Sequence, residues 1–289
     1  MSTRAQMMPH DLHVHTPLSG CGRVTFSAIK RVLKSLENEG ESDITRNSLL
    51  KALVKEVVRE YVSVARIRGV KLIGFTDHFN LDTSPRIFGV LRDIVKDTNA
   101  SNVKLLVATE ADILDDRGLT TVTKEVAETL DYVISGQHHY HLSYVKKPPR
   151  EIEDFLKYAL RELENTLKNP VIDAIGHPWL RAISFARKRY GLNLSLKDVP
   201  EEHVYRICDL AEKYGKAIQV EYNPNWESRG HPLKGILRLL KIVAESDCMI
   251  FYGSDAHRPV DLARDFTYTA KVLEEMGVNS RRIWLPREK

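Results

Sequence analysis

The sequence predicts a single α/β domain over residues 1–289, folded as a distorted seven-stranded β/α barrel of the TIM-like kind. Two observations carry this. Short apolar runs alternate with amphipathic stretches at helical spacing along most of the chain, and strand and helix taking turns imply parallel strands. Each apolar run also ends in His, Asp or Glu, as expected where parallel strand ends meet at one functional rim. The length fits, because barrels of this kind commonly reach such a size as one unit.

The first strand ends in Asp11-Leu-His-Val-His-Thr16. On a pleated strand Asp11, His13 and His15 share one face, so two imidazoles arrive together. Pro17 to Gly22 reads as a loop from its turn residues. A polar stretch follows, and its patch from Glu37 to Asp43 looks like a solvated excursion. Leu50, Leu53, Val54, Val57, Val58, Tyr61, Val62 and Ala65 then recur at helical spacing until Gly69 stops the run. Residues 24–68 thus read as a helical insertion between the first and second strands.

Further strands are expected at 70–75, 103–108, 131–134, 171–175, 217–220 and 249–252. They end in Thr76-Asp77-His78, Glu110, Gln137-His138-His139, Gly176-His177-Pro178, Glu221-Tyr222-Asn223 and Gly253-Ser254-Asp255-Ala256-His257, respectively. Helices are expected after Ser84 and Pro85, which suit a cap and a first helical position, and at about 149–167, 200–214, 233–245 and 262–276. Residues 283–285 read as an edge strand.

Composition narrows the function classes. The balance of 43 basic against 39 acidic side chains leaves only +4, too little to argue for nucleic acid by itself. Cys21, Cys208 and Cys248 are odd in number and irregularly spaced, which speaks against a disulfide framework and for a reducing compartment. The N-terminus lacks the apolar run of a secretory signal, and no stretch approaches the ~18 apolar residues of a membrane span. A soluble cytoplasmic protein without a membrane partner is expected, and its oligomeric state is left open.

Of the 11 histidines, six (His13, His15, His78, His138, His177 and His257) fall at strand ends. With Glu110 and Asp255 they exceed the roughly four ligands one zinc ion takes. Two or three divalent ions must share them, and Glu110 could bridge with its two oxygens. Clustered sites of this kind hydrolyse phosphoesters with a metal-activated water while neutralising phosphoryl oxygens. No nucleophile elbow, Walker loop or dinucleotide fingerprint offers another chemistry.

His13-Val-His15-Thr, Thr-Asp77-His78, Thr-Glu110, Gln-His138-His, Gly-His177-Pro and Gly-Ser-Asp255-Ala-His257, in this order, resemble the PHP (polymerase and histidinol phosphatase) family. The resemblance implies a phosphoesterase with up to three zinc, manganese or iron ions. It carries the ligand role onto His13, His15, His78, Glu110, His138, His177, Asp255 and His257. Many family phosphatases place another histidine where this chain has Cys21, so the third ion is held there partly by thiolate or is missing.

Asp77 and His257 are the expected catalytic residues, with Asp11, Asn223 and again Asp77 as candidates for orienting ligands. Arg258, Arg181 and His139 are candidates for contacting substrate phosphate, with His141, Arg187, Lys188 and Arg189 nearby. A helix face of solvated charge is the plainer reading of the 181–189 run. The expected substrate is a small phosphomonoester. Histidinol phosphate, nucleotide or nucleic-acid phosphodiesters, and a metal-stabilised scaffold without turnover are the alternatives.

Overall fold

The apolar runs form strands that are buried along nearly their whole length, as parallel strands covered on both faces must be. A computed structural model describes residues 8–25, 27–32, 46–224 and 233–286. Its strands are β1 (His10–Val14), β2 (Leu72–Phe75), β3 (His78–Phe79), β4 (Lys104–Val107), β5 (Thr109–Asp112), β6 (Val133–Gly136), β7 (Ala174–Gly176), β8 (Ala217–Val220) and β9 (Met249–Tyr252). They make two parallel sheets, ordered β1-β2-β4 and β3-β5-β6-β7-β8-β9.

This corrects the expectation of seven strands closed into a barrel. Two of the expected strands are broken: Thr76 and Asp77 separate β2 from β3, and Ala108 separates β4 from β5. At the break the Glu110 N–H turns to the Thr76 and Asp77 carbonyls, at 3.2 and 3.3 Å, and Thr109 Oγ1 donates to the Asp77 carbonyl at 2.7 Å. The outer edges β1 and β9 are joined by no ladder among the described residues. Between them stand the Val14–Ala256 bridge and a 2.8 Å bond from the His15 N–H to the Ala256 carbonyl. Residues 283–285 likewise make only a bridge, Ile283 to Ile250.

The helices are α1 (Arg46–Arg68), α2 (Arg86–Lys96), α3 (Lys124–Glu128), α4 (Ile152–Lys168), α5 (Leu180–Phe185), α6 (Glu201–Tyr214), α7 (Leu233–Glu245) and α8 (Phe266–Glu275). The apolar stripe of α1 is buried as its spacing requires, through Val54, Val57, Val58, Tyr61, Val62 and Ala65. Tyr61 then reaches the strand ends, donating its hydroxyl toward the His15 and Ala256 carbonyls at 3.0 and 3.2 Å. The insertion is thereby tied to the site. The patch from Glu37 to Asp43 lies outside the described residues.

A second apolar cluster fills the strand faces just before the polar strand ends: Leu12, Leu72, Leu106, Tyr132, Ile134 and Phe251. The next inward positions on two strands are glycines. A Cβ on Gly136 would sit 2.7 Å from His177 Cε1, and one on Gly253 would sit 2.5 Å from His13 Cβ. Only the missing side chains let the imidazoles lie this close to the backbone. Among the described residues, no helix is long and apolar enough to cross a membrane.

Candidate metal centre

His13 and His15 reach one place because β1 is irregular. Its register against β2 shifts between Asp11 and Val14. Asp11 therefore does not share the histidines' face, contrary to simple alternation. Its buried carboxylate accepts from the Ser254 N–H (2.9 Å), the Ser254 hydroxyl (2.5 Å) and the Ala263 N–H (2.7 Å). Burial pushes this carboxyl up to about 6, offset in part by those donors. Asp11 fixes the loop after β9 that carries Asp255 and His257; it touches no imidazole ring.

The proton positions on the first two histidines follow from their partners. Gln219 Nε2 donates to the Gly253 carbonyl (2.8 Å), so its Oε1 accepts from the His177 N–H (3.1 Å) and from His13 Nδ1 (2.8 Å). Ser19 Oγ donates to Asp77 (2.6 Å), so it accepts from His15 Nδ1 at 3.0 Å. In their neutral forms both imidazoles then carry bare Nε2 lone pairs, and these face each other across 3.1 Å. Glu110 Oε2 lies 3.2 and 3.5 Å from the same two atoms. Such a group repels itself unless a cation joins it.

Glu110 is the centre of the cluster, and its two oxygens divide it. Oε2 faces His13, His15 and His78 Nδ1 (3.1 Å); Oε1 faces His138 Nδ1 (3.2 Å) and His177 Nε2 (3.1 Å). Glu110 Oε1, His78 Nδ1 and His138 Nδ1 are buried and close, yet none has the geometry of a hydrogen bond. Donor atoms 3.1–3.5 Å apart match the ~3.3 Å edge of a tetrahedron built on metal bonds of about 2.0–2.1 Å. The residues present therefore fit divalent metal.

Charge points the same way. Burial opposes ionisation of Glu110, but the imidazoles of His138 and His13 overcome it and hold the carboxyl well below the usual range. Asp255 is held down likewise, by Arg181 and His15 against its burial. Its Oδ1 lies 3.2 Å from His15 Nε2, and its backbone is left-handed, φ 51°. His257 is the most open of the group, with 30% of its side chain exposed. Its Nδ1 donates to the Asp255 carbonyl (2.8 Å). His15, Cys21, His78 and His257 offer ligand atoms within 4.8 Å of one another. Burial alone would raise the Cys21 thiol, but His257 and His78 bring it down to about 6.

Several expected residues sit elsewhere. The fully buried Asp77 accepts from the Thr16 N–H (2.6 Å), the Thr16 hydroxyl (2.7 Å) and Ser19 (2.6 Å). It is linked to His15 through Ser19. Asn223 donates to Asp265. Arg258 pairs with Asp261 at 2.8 Å. Arg181, on α5, pairs with Asp255 and stands at the cluster, whereas Arg187, Lys188 and Arg189 are exposed. His139, left-handed at φ 62°, donates from Nδ1 to Asp112 at 2.7 Å. His141 stacks edge-on against it.

Two residues were missed. Asp112 is buried beside the cluster, 3.0 Å from His138 Nε2, and also accepts from the Tyr144 hydroxyl at 2.7 Å. The alternation Glu110-Ala-Asp112 was its signal, since period two puts both carboxylates on one face. Gln219 was legible as the one amide within the apolar strand Ala-Ile-Gln-Val.

Comparison with known proteins agrees. A probable phosphatase of Caldanaerobacter subterraneus subsp. tengcongensis is 28% identical over 218 residues, 73% of each chain. A probable phosphatase of Caldicellulosiruptor saccharolyticus is 27% identical over 224 residues, 75% of this chain and 80% of that one. A solved structure from Listeria monocytogenes, designated a candidate histidinol phosphatase, shares the fold with a TM-score of 0.59 at 14% identity, covering 90% of this chain and 99% of its own. The PHP domain family model matches residues 45–223. His13, His15, Asp255 and His257 fall outside that match, and only the fold brings them to Glu110. The chain belongs to the PHP domain family.

Proposed function

We propose that the protein hydrolyses a small phosphomonoester at a centre of two or three divalent ions. It is an enzyme, a metal-dependent phosphoesterase. One observation carries the finer reading: two imidazole nitrogens and a glutamate oxygen, all buried, converge at 3.1–3.5 Å, the spacing of ligands about one metal ion. Zinc, manganese or iron would each suit these donors.

His13, His15, His78, Glu110, His138, His177, Asp255 and His257 would hold the ions, with Glu110 divided between two of them. Cys21 would complete a third site with His15, His78 and His257. Bound ions supply a water of lowered pKa and neutralise phosphoryl oxygens during in-line displacement. Gln219 and Ser19 keep the Nε2 atoms of His13 and His15 unprotonated for that purpose. Arg181, which pairs with Asp255, would receive a phosphoryl oxygen. His139, its ring fixed by Asp112, lines the opposite side beside His78 and His138. The modest net charge, with Arg181 the one arginine at the cluster among the described residues, favours a small substrate over a polynucleotide.

Turnover of a generic aryl phosphate tests this. Chelation should abolish it, and added manganese or zinc should restore it. Turnover indifferent to chelators would overturn the reading.

A further inference from the structure

Next to the centre lies a cavity that the hydrolytic reading does not use. Its volume is about 70 Å³, room for more than a single water. It lies between the β8 face opposite Gln219's side chain, lined by Ile218 and Val220, and the inward sides of α6 and α7. Val204, Ile207, Leu240 and Val243 supply most of that helical wall, and all four are buried. Cavities so lined stay dry and take apolar molecules.

The wall nearest the rim is different. It is formed by His177 to Leu180, the turn after β7, with Glu221 at the end of β8. Two of these residues carry buried ring nitrogens without a hydrogen-bond partner among the described residues, His177 Nδ1 and Trp179 Nε1; the residues are 5% and 2% exposed. Trp179 Nε1 is always a donor. His177 Nε2 faces Glu110 Oε1 at 3.1 Å, and Nδ1 is the ring's second nitrogen. Unpaired buried donors are costly and rare in a finished interior. Trp179 is also held in a left-handed backbone, φ 60°, its N–H bonded to Gln137 Oε1 at 3.1 Å.

We propose that this cavity is a binding site for a compact apolar group, aliphatic or aromatic, that carries a hydrogen-bond acceptor oxygen. The walls take the hydrocarbon, and Trp179 Nε1 takes the oxygen. Because His177 belongs to both places, occupancy acts on the centre. The group is either the alcohol portion of the phosphoester, an assignment that rests on the proposed function, or a separate small molecule.

Hexanol, which has no phosphate, tests the site without turnover. Saturation-transfer NMR should show saturable binding to the native chain. Leu239→Trp at the half-buried edge of the cavity, and independently Val243→Phe, should weaken that binding at least tenfold with the fold checked by circular dichroism. No saturable binding to the native chain, or binding indifferent to both variants, would overturn the proposal even if phosphatase activity is present. The source is read from methyl, propyl and hexyl phosphates. A rise in kcat/KM of about fourfold per methylene, with hexanol competing, assigns the site to the substrate's alcohol. A flat series, with hexanol changing kcat on phenyl phosphate without competing, assigns it to a separate ligand.

Discussion

Two pairs of buried carboxylates near the strand ends differ in what faces them. Asp11 and Asp77 each accept at least three hydrogen bonds from backbone and hydroxyl donors of neighbouring loops. Glu110 and Asp255 face imidazole nitrogens instead, and Glu110 Oε1 has no hydrogen bond at all. The first pair is satisfied by the protein and holds loops in place. The second is satisfied only by positive charge. All four are carboxylates largely withdrawn from solvent, so the partners separate scaffold from centre.

The largest expected effect breaks the second pair. Glu110→Gln keeps the shape but removes the charge shared by both halves of the cluster, and kcat on an aryl phosphate should fall at least ~10³-fold, as for loss of a principal electrostatic group. Thermal stability of the metal-free chain should change little or rise, because an uncompensated buried charge is gone.

Breaking the first pair should do the reverse. Asp77→Ala strands the Thr16 N–H and two hydroxyls in the interior, and at about 1–3 kcal/mol per unsatisfied group the loss of stability should be about 3–5 kcal/mol in denaturant titration. Metal content of the molecules that remain folded should stay near that of the native chain.

Glu162 sharpens the comparison, since it is buried behind the rim with hydroxyl and amide partners only, Tyr140 and Gln137. Burial raises it from 4.5 to about 7, partly offset by Tyr140. A raised folded value means that the stabilising contribution is full below about 4.5 and is lost as pH climbs through about 7. The native chain should therefore lose up to about 3 kcal/mol relative to Glu162→Gln across that window. Parallel stability curves for the two proteins would remove Glu162 from the account.

Cys21→Ser carries the smallest effect. It should lower bound metal by one ion per chain and activity about tenfold, because a hydroxyl is a poorer ligand than a thiolate. Unchanged stoichiometry would take Cys21 out of the ligand set.

Much of this was legible in the residues. The helix at 233–245 is found where its spacing put it, and the strand ends that carry His78, His138 and His177 converge as parallel topology requires. What was not legible arises from breaks in regular backbone. The bulge within β1 turns Asp11 away from His13, and the interruptions at Thr76-Asp77 and Ala108 split two strands in favour of local hydrogen bonds. Alternation rules presume an unbroken pleat. Asp77 and Glu110 look alike in sequence, both preceded by threonine at a strand end; the Thr16–Ser19 turn that claims Asp77 is a tertiary contact that no local pattern announces.

Metal content per folded chain tests the central claim most directly, by elemental analysis after gentle isolation of the native protein and of Glu110→Gln. The account predicts two or three equivalents of divalent metal in the native chain and a fall below one in the variant. A native chain free of metal after incubation with zinc, manganese or iron, or a variant that retains the full complement, would contradict it.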